Sequence, residues 1–592
     1  MIDSKISEIP LIQFAVITDS HIRSLNATEE GGYASNRLTI ERAKYVVRCI
    51  NGLKPNFVVH LGDVVHPIPV LSNHEEAVKK AREVFSGIEA NFYVVPGNHD
   101  IGDKPNAWLP APVVEENSHH YFSKHWGALY QAFSIQTCRF ICLDSSIMNS
   151  GFDREREQWV WFENELHIAS EKGLRIFAFV HYPLFICDPN EPTHYDNIDE
   201  PARSRLLELF EQYNVEAVFS GHVHNVFIGV NGRTKFYSVP SIAFVRPEYS
   251  ELATVEPDDD EFGRNDTAKL GFFLVRVYTD RHEILPIRTY GAGQLKPGMS
   301  QIEPYQMIGE THQMLGVTLR RGWGRRVELA ADGLDEFQRK EAYRDTLLIA
   351  LFELGVTSLR VPFADLANAD IRQRLSDYVR LGFEFTVYSL GLPDESTLAK
   401  IEKHGNLLVN WEMIIPEHTI SQTGNAIKRA KSVFPGQLFV APVVPMKEDD
   451  GTGKTFQHFA SHGFSYGQTN KAEDWLSKVD TRTDDVGLTF RVSPWDDPAT
   501  TIRAIDRHCK RAKLINLQLP RLDEGIRFND DDRLQSFILE AYKASQMMAN
   551  TTVFIDTFVD SDRGYYPRNG LLDRRFNPRP AFYALKFASL VK

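Results

Sequence analysis

Short runs of β-branched and aromatic residues alternate with amphipathic stretches through the first half of the chain. Phe14 to Thr18, Phe57 to Leu61, Phe92 to Val95, Ile176 to Val180 and Ala217 to Ser220 each read as a buried strand. Between them, Arg37 to Gly52 puts Leu38, Ala43, Val46, Val47 and Ile50 on one helical face, and His74 to Ser86 predicts a second helix. Asp199 to Tyr213 predicts a third, with Pro201 near its first turn, where a missing amide donor costs little. Trp159, Val160, Phe162 and Leu166 recur at helical spacing and read as core. Thr234 to Ser238, Gly271 to Tyr278 and His282 to Thr289 look like a closing antiparallel set. Residues 11 to about 290 are therefore expected to form a layered α/β domain.

The regularity lapses twice. Glu256-Pro257-Asp258-Asp259-Asp260-Glu261 reads as a solvated loop, and Gly291 to Gly309 lacks periodicity and marks a domain boundary. Beyond it, strand-like runs recur at Leu315 to Arg320, Ser358 to Phe363, Phe385 to Leu390, Leu407 to Trp411, Leu438 to Val444, Gly487 to Val492, Leu514 to Leu519 and Val553 to Phe558. Segments between them mostly read as helices, which predicts a (β/α)8 TIM-like barrel over 311–592, joined by a linker at 291–310 to a first domain at 1–290. The interval 445–485, with His458, His462, Gly463 and Gly467, is expected to be a long loop at the barrel mouth.

Bulk properties narrow the partners. At 592 residues the chain exceeds one hydrophobic core, and 43% hydrophobic with 24% charged residues suits a folded soluble protein. A formal net charge of -13 leaves no electrostatic footprint for long nucleic acid or an anionic membrane surface. The five cysteines are odd in number and sit mostly in apolar stretches, which reads as reduced, buried thiols. Met1 to Pro10 is polar and no run reaches 18 apolar residues, so a cytoplasmic protein is expected, of undetermined oligomeric state.

The candidate chemistry lies directly after the predicted strands. Asp19-Ser20-His21, Gly62-Asp63, Gly97-Asn98-His99-Asp100, His181-Tyr182-Pro183 and Gly221-His222-Val223-His224 carry oxygen and imidazole donors. The pattern has them leaving the same end of one sheet, the edge where open α/β sheets bind ligands. Such donors suit borderline divalent ions: Mn, Fe, Zn or Co. One metal is expected on Asp19, His21 and His224, a second on Asn98, His181 and His222, with Asp63 bridging them. Gly62, Gly97 and Gly221 would permit turns or close backbone approach beside the ions. His60, inside a strand, reads as a satisfied core histidine, and His119 and His120 as loop residues outside the site. His194 and Tyr195 suit either the cleft or loop surface.

This ordered set resembles the calcineurin-like metallophosphoesterase superfamily over about residues 11 to 290. The resemblance implies a dinuclear centre above an αββα sandwich, phosphoester hydrolysis by a metal-bridging hydroxide, and Asp19, His21, Asp63, Asn98, His181, His222 and His224 as ligands. It also implies that His99 contacts the substrate phosphate or protonates the leaving oxygen, with Asp100 orienting it. The Gly-Asn-His-Asp and His-x-Pro elements look most like the branch of cyclic-nucleotide and glycerophosphodiester phosphodiesterases, so a small phosphodiester is expected ahead of a monoester or pyrophosphate. His66-Pro67 departs from the pattern, where relatives often carry a polar residue and glycine, and bears on substrate access.

The second half resembles, more loosely, the (β/α)8 glycoside hydrolases, most at Phe554 to Thr557 and its tail through Ala581. Such chemistry needs two carboxylates about 5 to 9.5 Å apart. Glu412 and Asp556 are the candidates, with Asp560 or Asp562 as substitutes, while the seventh strand offers Gln518 in place of a glutamate. That absence weakens the glycosidase reading, and a binding or architectural barrel is expected ahead of it. Gly451-Thr452-Gly453-Lys454-Thr455 fails as a phosphate-cradling loop because Glu448 stands where another glycine is required.

Overall fold

The structure is a computed structural model; it describes residues 9–588 apart from 25–31, 107–110, 258–260, 294–314, 321, 331–333, 417–418, 420–421, 445–460, 471, 473–475, 477–485, 520–530, 549 and 561–568. In the first half the strands are β1 (Ile12–Ile17), β2 (Phe57–His60), β3 (Asn91–Val94), β4 (Gln131–Ile135), β5 (Cys138–Cys142), β6 (Arg175–Phe179), β7 (Ala217–Ser220), β8 (Ile228–Asn231), β9 (Thr234–Ser238), β10 (Gly271–Val277) and β11 (His282–Arg288). They form two sheets, ordered β11-β10-β1-β2-β3 and β4-β5-β6-β7-β9-β8. β1, β2 and β3 run parallel, as do β5, β6, β7 and β9.

Successive side chains of a strand point to opposite faces, and the central strands β1, β2, β6 and β7 are buried on both. On the inner face Phe14 and Phe57 of one sheet meet Phe140, Phe177, Phe179 and Phe219 of the other, with ring centroids 4.7 to 6.1 Å apart. On the outer faces, helices α1 (Thr39–Leu53) and α2 (His74–Phe85) bury Ala43, Val46, Ile50, Ala77 and Ala81 against Ala15, Ile17 and Val58. After the short α3 (Asn98–Ile101) and α4 (Ser118–Trp126), α5 (Asp153–Glu171) and α6 (Ala202–Gln212) cover the other sheet through Trp159, Phe162, Leu166, Leu206 and Phe210. The result is the expected αββα sandwich.

Several local expectations change. The ligand-bearing strands divide between the two sheets, because alternation specifies a strand's faces but not its sheet. Thr234–Ser238 does not join β10 and β11; it lies parallel to β7 and forms a hairpin with β8. Val160 is 72% exposed, outside the stripe set by Trp159, Phe162 and Leu166. His119 and His120 sit on α4 rather than in a loop.

The second half supplies β12 (Leu315–Thr318), a hairpin of β13 (Val327–Glu328) and β14 (Glu341–Ala342), and then β15 (Ser358–Pro362), β16 (Glu384–Leu390), β17 (Asn410–Ile415), β18 (Gln437–Pro442), β19 (Val486–Val492), β20 (Lys513–Gln518) and β21 (Thr551–Asp556). Eight of these close a parallel barrel in the order β12-β15-β16-β17-β18-β19-β20-β21, with β21 pairing back to β12. Helices 369–380, 395–404, 423–433, 498–508 and 531–545 follow β15, β16, β17, β19 and β20 in turn. Two compact units result: 1–308 with 326–353, and 309–325 with 354–592. Residues 326–353, between the first two barrel strands in sequence, thus fold with the first unit, where the sequence pattern put them with the barrel. None of the five cysteines forms a disulfide, and among the described residues no helix is long and apolar enough to cross a membrane. The candidates His458 and Asp562 lie outside the described residues.

Candidate metal centre

Each expected ligand sits just past a strand's carboxyl end, where the chain turns sharply. Asp19, His21, Asp63, His222 and His224 have φ of 52°, 43°, 52°, 68° and 51°. Non-glycine residues rarely adopt this region, at a cost of roughly 1–3 kcal/mol each, and such residues cluster at functional sites. Gly62, at φ 101°, and Gly97 lie against each other: a Cβ on Gly62 would stand 2.6 Å from the Gly97 nitrogen, and one on Gly97 2.2 Å from the Asp63 nitrogen. That close approach, which glycine alone allows, sets Asp63 beside Asn98 and His99.

The side chains converge on one carboxylate. Asp63 Oδ2 lies 3.6 Å from His21 Nε2, and its Oδ1 lies 3.4 Å from His181 Nε2. On the first side His224 Nε2 stands 3.0 Å from His21 Nε2 and 3.5 Å from Asp19 Oδ1. On the second, Asn98 Oδ1 is 2.9 Å from His181 Nε2 and 3.1 Å from His222 Nδ1. Donor atoms of Asp19, His21, Asp63 and His224 lie within 4.8 Å of one another, as do those of Asp63, His181 and His222. The structure thus brings together all seven expected ligands, every one buried.

The imidazoles are turned for ligation. His181 Nδ1 is 2.8 Å from the Leu61 carbonyl and His224 Nδ1 is 3.0 Å from that of Phe244, so each ring donates outward and keeps its Nε2 lone pair for the cluster. Burial holds His21, His181 and His224 well below the ordinary 6.5, reinforced by neighbouring imidazoles and arginines. Burial also pushes Asp19 up to about 8 and Asp63 well above the ordinary 3.8, the latter with help from Asp19 and Asp100. At ion-pair distance Asp19 and Asp63 meet imidazoles, His224 for the one and His21 and His181 for the other, a crowd of carboxylates and neutral rings that divalent cations fit.

His99 and its neighbours complete the rim. The His99 backbone donates to Asp63 Oδ1 at 2.9 Å, and its Nδ1 meets the His66 carbonyl. His66 Nδ1 lies 3.3 Å from His21 Nδ1, and His21, His66 and His99 form a third group of close donors, so the departure at His66-Pro67 places an extra imidazole at the centre. Asp100 acts differently from the expectation. Its carboxylate accepts from the backbone of Gly97 at 2.9 Å and Val64 at 3.1 Å, tying two ligand loops together rather than orienting the His99 ring. His60 is satisfied by Ser20 Oγ at 2.9 Å and is a core histidine. His194 pairs with Glu191 at 3.0 Å, while Tyr195 reaches the site: its hydroxyl is 3.5 Å from Asn98 Nδ2. Asp196, 3.5 Å from His222 Nε2, carries no local motif and was not anticipated; its only sequence signal is adjacency to Tyr195.

The barrel candidates are held by arginines. Glu412 Oε2 accepts from Arg360 Nε at 2.8 Å, with His462 Nε2 3.7 Å from the other oxygen. Asp556 is gripped by both Arg320 Nε, at 2.6 Å, and Arg320 Nη2. Despite burial, these cations keep both carboxyls below their ordinary values, whereas a glycosidase acid needs a raised one.

The family described as calcineurin-like phosphoesterase matches residues 12–226, which contain all seven clustered ligands. A serine/threonine-protein phosphatase, CPPED1, of Danio rerio is 33% identical over 31% of this chain and 60% of its own length. A probable glycerophosphodiester phosphodiesterase, GpdQ, of Arcobacter nitrofigilis is 30% identical over 36% of this chain and 71% of its own length. Among solved structures, a dimetal phosphatase from Danio rerio overlaps 47% of this chain and 96% of its own with TM-score 0.33 and 14% identity. A family 39 glycoside hydrolase from Bacteroides cellulosilyticus WH2 overlaps 54% and 70% with TM-score 0.32 and 11% identity. Through its first unit the chain belongs to the calcineurin-like phosphoesterase family. It spans about 60% of the length of the CPPED1 relatives it matches.

Proposed function

We propose that the protein is a dinuclear-metal phosphoester hydrolase that acts on a small phosphodiester in preference to a monoester. The observation that carries the reading is Asp63, whose two oxygens face two separate sets of buried donors. Asp19, His21 and His224 would hold one divalent ion, Asn98, His181 and His222 the other, with Asp63 shared. Bound there, two ions would lower the pKa of water and offset charge on the attacking and leaving oxygens. His99 keeps its Nδ1 proton on the His66 carbonyl, which leaves Nε2 to meet a phosphoryl or leaving oxygen; in the imidazolium form it donates a proton there. Burial holds His99 below its ordinary 6.5 and so disfavours that form, and the His66 carbonyl and Asp103 offset this only in part. The larger share of the GpdQ relative that is matched supports the diester preference. Cysteines that form no disulfide, four of the five buried, suit a reducing compartment, and we propose a cytoplasmic location.

The test is hydrolysis of bis(p-nitrophenyl) phosphate beside p-nitrophenyl phosphate by metal-depleted protein, with Mn, Fe, Zn or Co restored singly. Metal-dependent turnover favouring the diester is expected. Monoester preference would make it a phosphatase, and absence of metal binding would overturn the reading altogether.

A further inference from the structure

The second metal position is backed by a network whose far end comes from residues 326–353. Asp196 is fully buried, with Oδ1 3.5 Å from His222 Nε2, the ring nitrogen opposite the one that faces Asn98. The same carboxylate accepts from Arg246, from the Tyr249 hydroxyl at 2.8 Å and from Lys340 Nζ at 2.6 Å. Lys340, 3% exposed, also binds Asp335 Oδ2 at 2.5 Å, and Asp335 Oδ1 accepts from the Tyr195 backbone at 3.1 Å. Tyr195 then returns to the centre, its ring 4.9 Å from that of His222 and its hydroxyl beside the Asn98 amide. A small apolar cluster braces the same place: Leu329 and Ala342 pack with Val223, which lies between His222 and His224, and with Phe227 and Tyr249.

Burying so many charges is weak evidence for stability alone, because desolvation consumes most of the attraction. A carboxylate on the outer nitrogen of a ligating imidazole fixes the ring's tautomer and direction. The structure assigns to Lys340 and Asp335 the role of positioning residues for the Asn98–His181–His222 metal position, acting through Asp196 and Tyr195. A segment inserted between the first two strands of the barrel in sequence thereby completes the phosphoesterase site. This inference rests on the two-metal reading above.

The test counts metal in the full-length chain. Native protein, Lys340→Met, Asp335→Asn, Lys340→Arg and Arg326→Ala are dialysed against limiting Mn and analysed by mass spectrometry, and the exchange coupling of a paired Mn centre is followed by electron paramagnetic resonance. Arg326 pairs with Asp188 at 2.6 Å and holds the same segment without touching Asp196, so it reports a purely structural effect. Lys340→Met and Asp335→Asn should hold one ion, lose the coupled signal, and regain it only at about 10–100-fold higher metal, the range typical of outer-shell changes. Lys340→Arg should restore the pair and Arg326→Ala should keep it. If Lys340→Met fails to fold, the isosteric Asp335→Asn carries the test. Two ions at native affinity in folded Lys340→Met or Asp335→Asn would overturn the inference while leaving the two-metal reading intact. Equal loss in Arg326→Ala would reduce the network to scaffolding. Native protein that binds no pair would overturn the two-metal reading itself.

Discussion

Around Asp63 the charge state of single residues sets an unusual pH response. Asp19 is pushed up to about 8 and Asp100 to about 7, so above 3.8 the folded chain keeps protons that the unfolded chain has released. The stability this contributes is full below 3.8 and is lost as pH rises through 7 and 8. The lowered imidazoles of His21, His181 and His224 act oppositely, where the unfolded rings take up protons. That opposing contribution fades once the unfolded rings are neutral, about one pH unit above 6.5, so between about pH 7.5 and 8.5 the carboxyl contribution dominates. Metal-free protein should therefore show a falling urea midpoint over that window, and metal-saturated protein a flatter one; a rising midpoint without metal would refute the charge assignment. Asp63→Asn keeps the side chain's shape and removes the shared charge. Turnover should drop more than about 100-fold, beyond the range of outer-shell changes, with the circular dichroism unchanged; activity within tenfold of native would exclude a shared carboxylate. The ligands were legible because hard and borderline cations demand these donor types at strand ends. Lys340 was not, since its partner Asp196 is 144 residues away and no local pattern links them.

At the level of elements, the site depends on how closely two strand-end loops approach. Gly97 has an ordinary φ of -104°, so Gly97→Ala tests sterics alone: its Cβ would stand 2.2 Å from Asp63 N and 2.3 Å from Asp63 Oδ1. A cost of about 1–3 kcal/mol, typical of overpacking, is expected in urea unfolding, together with weaker metal binding. Gly467→Ala, with open space around the position, serves as the near-neutral comparison. Native metal affinity in Gly97→Ala would mean that these loops move apart freely. Periodicity placed β1, β2, β3, β6 and β7 well, because each pays its own way in local burial. It could not assign β9, which pairs parallel with β7 as a consequence of the β8 hairpin rather than of its own sequence.

Across the whole molecule, two compact units predict two responses to metal. All seven clustered ligands lie in the unit of 1–308 and 326–353. In scanning calorimetry, metal at about 100 times its dissociation constant should stabilise that unit by about 2.7 kcal/mol, raising one transition and leaving the barrel's in place. Two transitions that rise together would show that the units unfold as one. The sequence by itself determined most of the strands and helices, the eight-fold alternation of the second half and which side chains cluster at the candidate metal centre, because each follows from short-range spacing or from donor chemistry. Only the tertiary structure decided that the ligand strands belong to two sheets, that Asp100 ties loops instead of His99, that arginines neutralise Glu412 and Asp556, and that 326–353 returns to back His222. Those outcomes rest on contacts between residues far apart in the chain, chosen by packing and charge pairing that leave no periodic trace in the sequence.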